Sequence, residues 1–275
     1  MSIMNRAVAP DVGVSGRRPS EGRRIWYRGR WMLTVLSIAI GLGIWQLSGM
    51  AFPTLVPNLG TMATTLISSV GDGVLLSAAG TSLMAIIVSF AVALTAATIL
   101  GFILGWYATP RALVDPWVQF FRMIPPIALL PLVVVYLGVG TLAKDFIIFF
   151  SGFLIMLITI FQGVRQIDVA LVRAARVLGC GDLKLFVHVV LPASVPHILT
   201  AARIGISASW TALVAAELIS SSNGLGFLIE QGSQFFEMGQ VYLGIVAIGI
   251  LGLLMDRIVL ILQKRLTAWQ DVAAK

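Results

Sequence analysis

Few residues in this chain have the type and spacing that reaction chemistry requires. The stretch SSSNGLGFLI from Ser220 is rich in glycine, but a phosphate-cradling loop needs Gly-Lys-Ser/Thr. None of the four lysines, Lys144, Lys184, Lys264 and Lys275, follows a glycine. His188 and His197 stand nine residues apart across Pro192 and Pro196, with no Cys or carboxylate at ligand spacing, so no metal site is expected. The single cysteine, Cys180, has no disulfide partner and reads as a small packing residue. Nowhere do a nucleophile, a base and an orienting group gather, so no catalytic residue and no cofactor is assigned to the chain.

The remaining polar groups sit in apolar surroundings and are candidates for a passage or its gate. They are Arg122 ahead of Pro125 and Pro126, Arg203, Trp210 among Ser207, Ser209 and Thr211, and Glu217. An ionised carboxylate inside a membrane is costly unless paired or hydrated, so Glu217 is expected to face a pathway or a partner. Arg122 and Arg203 fit attraction of an anion, and snorkelling to lipid headgroups explains them equally well. The small residues near Trp210 also permit close helix packing.

The elements that hold these residues must be membrane helices. Of 275 residues 58% are apolar and only 11% charged, with a mean hydropathy of +0.96, far from the roughly one-quarter charged content of soluble domains. Crossing about 30 Å of hydrocarbon takes roughly 20 residues. Six runs meet that length: Trp31 to Met50, Ser82 to Tyr107, Trp117 to Val139, Phe146 to Val164, Ile198 to Ile219 and Val241 to Leu262. They are apolar on every face, which excludes the alternation of a β-barrel. Between the first two, Leu59, Met62, Leu66 and Val70 near helical spacing predict a short amphipathic piece along the outer interface.

Charge orients the bundle. With a cytoplasmic N-terminus and one crossing per run, every basic residue except Lys144 falls on the cytoplasmic side, beginning with the arginines before Trp31. Both termini are therefore expected in the cytoplasm. Residues 1–30, rich in Arg, Gly, Ser and Pro, are expected to form a disordered tail touching anionic lipid. The net charge of +7 does not point to nucleic acid, because no basic patch is interleaved with stacking aromatics.

One cytoplasmic segment is long, and it interrupts the apolar pattern. In RAARVLGCGDLKLFVHVVLP, Arg173 to Pro192, the residues Leu171, Ala174, Ala175 and Leu178 share a helical face, and Gly179 and Gly181 permit a sharp reversal. Leu183, Phe186, Val187 and Val190 then predict a second short helix ended by Pro192 and Pro196. Two uses fit such a knob: insertion into a groove on another protein, or rest on the lipid headgroups.

That segment resembles the "EAA…G…LP" loop of ABC-transporter permease subunits, with Ala174, Ala175, Gly179, Leu191 and Pro192 at matching spacings. FRMIPPIALLPLVVVYLGVG (Phe121 to Gly140), LVAAELI (Leu213 to Ile219), SNGLGFLI (Ser222 to Ile229) and the closing Arg265, Leu266 and Trp269 are similar to the branch importing nitrate, taurine and aliphatic sulfonates. The chain departs from that pattern at Arg173, where the family usually has glutamate, and at Met84 and Ala85, where an arginine often follows Ser82 and Leu83.

The resemblance implies an all-α, six-span MetI-like permease fold of the type I importers, over residues 31–271, with a coupling-helix loop at 165–193. It implies a homodimer, two ATPase subunits that carry the ATP and Mg, and an extracytoplasmic binding protein, all at a bacterial inner membrane. Arg173, Ala174, Ala175, Leu178, Gly179, Leu191 and Pro192 would then contact the ATPase, and the cargo would be a small anion. Aromatic carboxylates or vitamin precursors are the alternative cargo. An ion-gradient carrier is the alternative class; it is disfavoured by the lack of an evident repeat and by Glu217 reading as the sole clear intramembrane acid.

Overall fold

The computed structural model describes residues 22–267, which fold into α-helices joined by short turns. They fall into two units that divide between Asn58 and Leu59.

Within the first unit, α1 (Gly22–Ala51) starts earlier than the predicted span at Trp31, so the last part of the expected tail is helical. The rest of that tail, residues 1–21, lies outside the described residues. A turn after α1 brings the chain back on the helix: Trp45 Nε1 donates to the Pro57 carbonyl at 2.9 Å. A side chain at Gly49 would lie 2.9 Å from Asn58 Cα, so glycine permits this approach.

The second unit runs through α2 (Leu59–Gly71), α3 (Val74–Trp106), α4 (Ala108–Phe121), a 3-10 turn Pro126–Leu129, α5 (Leu130–Leu137), α6 (Thr141–Arg165), α7 (Val169–Val177), α8 (Asp182–Leu185), a π turn Phe186–Val190, α9 (Leu191–Ser220), α10 (Leu225–Gln234) and α11 (Met238–Leu266). The expected amphipathic piece is α2. The centre is α6, packed between α3 and α9, with Ile147, Ile148, Met156, Leu157 and Ile160 fully buried. Small residues let these helices close up: a Cβ on Gly101 of α3 would stand 2.7 Å from Ile160 Cγ2.

Among the described residues five helices are long and apolar enough to cross a membrane, and a sixth crossing requires counting a bent pair as one. That pair, Ala108–Phe121 with Pro126–Leu137, bends by 88°, which corrects the expectation of a straight span from Trp117 to Val139. The cause is the Pro125-Pro126 pair. A residue before proline is driven from the α region, and Pro125 itself takes ψ 127°, so the helix cannot pass through.

The expectation for span five fails in the opposite direction. Pro192 and Pro196 do not end the second helix of the loop; Asp182–Ile219 is one 38-residue helical run, roughly 57 Å long. Pro192 cannot donate to the carbonyl one turn earlier, and the π turn before it widens the helix there: the Leu191 N–H bonds to the Phe186 carbonyl, five residues back.

At the far end of this run, α10 meets α11 at Phe236, the one non-glycine residue with positive φ (58°) among the described residues. The Glu237 N–H bonds to the Gly232 carbonyl at 2.7 Å and the Phe236 N–H to that of Ser233, the pattern that ordinarily places glycine at this position. A side chain there costs about 1–2 kcal/mol.

Candidate functional site

Two polar constructions stand at opposite ends of the α9 run. The first is the loop from Arg165 into α8. Asp168 caps α7, its carboxylate accepting from the Ala170 N–H at 2.8 Å. The helix ends at Gly179, with φ 78°: the Cys180 N–H bonds to the Ala175 carbonyl and the Gly179 N–H to that of Arg176, each at 3.0 Å. Glycine is favoured there by backbone conformation alone, since a Cβ on Gly179 would meet nothing within 4 Å. Arg176 spans the turn to Asp182 at 2.6 Å.

Burial divides the loop's apolar residues. Ala175, Leu185 and Val190 are buried, and Phe186 packs edge-on against Phe102 of α3 at 5.2 Å. Val177, Leu178 and Leu183 are 87%, 83% and 77% exposed. The predicted second face of Leu183, Phe186, Val187 and Val190 is thus corrected to Leu185, Phe186 and Val190, because α8 is the start of a span and turns only one stripe inward. Arg173, Ala174, Leu178 and Gly179 come together on the exposed tip. Leu191 and Pro192 follow the π turn, where Leu191 lines a cavity of about 750 Å³ with Phe102 and Trp106 and with Arg176 and Leu183 beside the tip.

The second construction surrounds Glu217 near the end of α9. Glu217, expected to face a pathway or a partner, is fully enclosed within the chain against partners on other helices. Ser82 Oγ of α3 donates to the carboxylate, 2.9 Å from both oxygens, and accepts from the Leu225 N–H at 2.9 Å. The Gly226 N–H reaches Oε2 at 2.9 Å, and Lys144 Nζ lies 3.4 Å from Oε1. Glu217 therefore closes the N-terminus of α10 from another helix, satisfying a backbone donor that otherwise lacks an intrahelical partner. It also neutralises Lys144, a buried cation in the first turn of α6 where the helix dipole disfavours positive charge. Through these contacts the carboxylate ties α3, α6 and α10 to α9. Above it opens a cavity of about 420 Å³ lined by Thr81, Thr141, Lys144, Ser222 and Asn223.

The other gate candidates do not converge on one place. Arg122 caps α4 and Pro125 follows at the bend, both exposed. Arg203 is held bidentately by Asp256 of α11 at 2.9 and 3.2 Å. Trp210 is buried in the main apolar cluster, its Nε1 without a hydrogen-bond partner. Asp256 and Asp145 both lie within spanning helices, so Glu217 is not the sole intramembrane acid. Sequence reasoning missed Lys144, Ser82 and Asp256 as partners. Lys144 carried one signal, as the basic residue that the charge pattern left on the outer side.

The family model for binding-protein-dependent transport system inner membrane components matches residues 93–268, more than half of the chain. A probable ABC transporter permease protein of Brucella abortus strain 2308 is 40% identical over 241 residues, covering 88% of this chain and 96% of that protein. The taurine transport system permease protein of Escherichia coli K12 is 36% identical over 169 residues, 62% of each chain. Among solved structures, inward-facing conformations of the MetNI methionine ABC transporter align with a TM-score of 0.60 at 21% identity, covering 70% of this chain and 96% of that one.

Proposed function

This chain belongs to the family of binding-protein-dependent transport system inner membrane components, and we infer from that membership and from its geometry how it works as the permease subunit of an ABC importer. It is a multi-pass membrane protein, and the tip formed by α7, Gly179 and the start of α8 is its coupling element. The observation that carries this reading is the exposure of Val177, Leu178 and Leu183 around the turn at Gly179. Contiguous apolar side chains outside a core mark an interaction surface, and here a partner ATPase would cover them. Two permease copies would form the passage, and closure of two ATP- and Mg-loaded ATPase subunits would drive it outward-facing. ATP can act through the tip only if the contact differs in energy between the two states. The Glu217 tie would hold α10 on the side where a binding protein delivers cargo.

For the cargo, a small anion of the taurine, aliphatic sulfonate or nitrate kind has the best support, through the taurine relative. The test is purification of the permease with the ATPase and binding protein encoded beside it. A detergent-solubilised assembly should retain the ATPase, and loss of that subunit from the wild-type preparation overturns the coupling role. Thermal stabilisation of the binding protein by taurine, alkanesulfonate or nitrate, and not by aromatic carboxylates, should identify the cargo class.

A further inference from the structure

The first turn of α6 gathers positive charge that the chain only half compensates. No side chain caps the helix at Gly140, and the N–H groups of Thr141, Leu142 and Ala143 have no acceptor among the described residues. Such groups carry the positive end of the helix dipole, which an acid in the first turn ordinarily complements. This chain has no acid there and instead places Lys144, 3% exposed, in that turn. An ammonium has three donors. Among the described residues its one acceptor is Glu217 Oε1, and 3.4 Å is long for a hydrogen bond between charged groups. Glu217 is held by Ser82 and Gly226 and does not line the cavity of about 420 Å³ that Lys144 and Thr141 line. Thr141 and Ser222, both exposed, bring hydroxyls to that cavity that bond to nothing else among the described residues, and Val139 and Ile219 give it an apolar wall. An adjoining cavity shares Thr81, Thr141 and Lys144 but is also lined by Asp145, so the first of the two is the cationic one.

We propose that this cavity is an anion-binding site of the permease itself, in which the cargo pauses on its way through, a reading that rests on the importer role above. Lys144 Nζ donates to one oxygen of a sulfonate or nitrate group, and the Thr141 and Ser222 hydroxyls and the first N–H groups of α6 donate to the others. A helix N-terminus beside a buried ammonium favours negative charge from two directions at once. A neutral solute would leave both uncompensated, and a cation would be repelled. Val139 and Ile219 leave room for a short alkyl group on the anion. A lipid phosphate presents the same oxygen chemistry, and the experiment separates it from the cargo.

The test uses the permease with its ATPase in nanodiscs, without the binding protein. Methanesulfonate or nitrate should raise the permease unfolding midpoint by about 2–4 °C over chloride at equal ionic strength, and acetamide should not. Thr141→Asp supplies the missing acid to the first turn, so its midpoint without ligand should hold or rise. The same carboxylate occupies the site and repels anions, so methanesulfonate should bind that variant at least about tenfold more weakly. Lys144→Met combined with Glu217→Gln removes both charges together; it should fold and lose the anion response. Uptake into proteoliposomes at saturating binding protein should fall at least about tenfold in Thr141→Asp, with the ATPase still attached. A wild-type midpoint indifferent to both anions overturns the proposal, as does a shift that persists in Thr141→Asp and in the double variant. A phospholipid retained by the wild type and released by Thr141→Asp in native mass spectra assigns the site to lipid phosphate and overturns it too. Each of these results leaves the importer reading intact while the ATPase co-purifies; loss of the ATPase from the wild-type preparation overturns both.

Discussion

Glu217 and Lys144 depend on one another because each is buried. Removing one partner of such a pair leaves an uncompensated charge, at a cost on the order of 3–5 kcal/mol, whereas removing both together can be nearly neutral. Lys144→Met is therefore expected to lower the thermal unfolding midpoint sharply. Glu217→Gln should do the same, because it strands the lysine. The combined variant should recover much of the loss, since glutamine can still accept from Gly226 and Ser82. Losses that simply add in the double variant, measured by thermal unfolding in one detergent, would show that the two side chains do not interact. Glu217 stood out in the sequence as an acid in an apolar run, but its partners lie 73 and 135 residues away in the chain. No local pattern links residues so far apart.

At the scale of the element, the α7 turn was legible almost to the residue, because helix spacing and the glycine at its end are local properties. Conformation and surface can be separated at Gly179, where φ is positive and the space beyond is empty. Gly179→Asn keeps access to the left-handed region and adds a side chain at the tip; Gly179→Asp adds a charge as well. Both should leave the permease folded, lower its recovery with the ATPase, and uncouple ATP hydrolysis from uptake, the Asp variant more severely. Coupled uptake at the wild-type rate in the Asp variant would refute docking at this surface. The second half of the loop was misread because proline was taken as a stop. A proline ends a helix only when the turn before it cannot adjust, and the π turn at Phe186–Val190 makes that adjustment.

For the whole molecule, the bent pair α4–α5 decides how many times the chain crosses the membrane. If it counts as one crossing, the termini share a side, as the basic residues imply; a re-entrant pair would separate them. Cys180 is the chain's one cysteine and is partly accessible at the α7 end. A membrane-impermeant maleimide should therefore label the wild-type protein in inside-out vesicles and spare it in intact spheroplasts. In a Cys180→Ser background, cysteines introduced at Ser2 and Lys275 should both show the same sidedness, and opposite labelling of the two would establish five crossings.

Sequence alone determined the membrane setting, the helical class, the position of the α7 turn and the family, because apolar length, helical spacing and motif spacing are all properties of neighbouring residues. Tertiary structure decided the rest. It enclosed Glu217 with Lys144 and Ser82, paired Arg203 with Asp256, and bent the third span at Pro125. Each of those outcomes depends on which helix lies beside which, and a buried charge finds its partner only once the chain has folded around it.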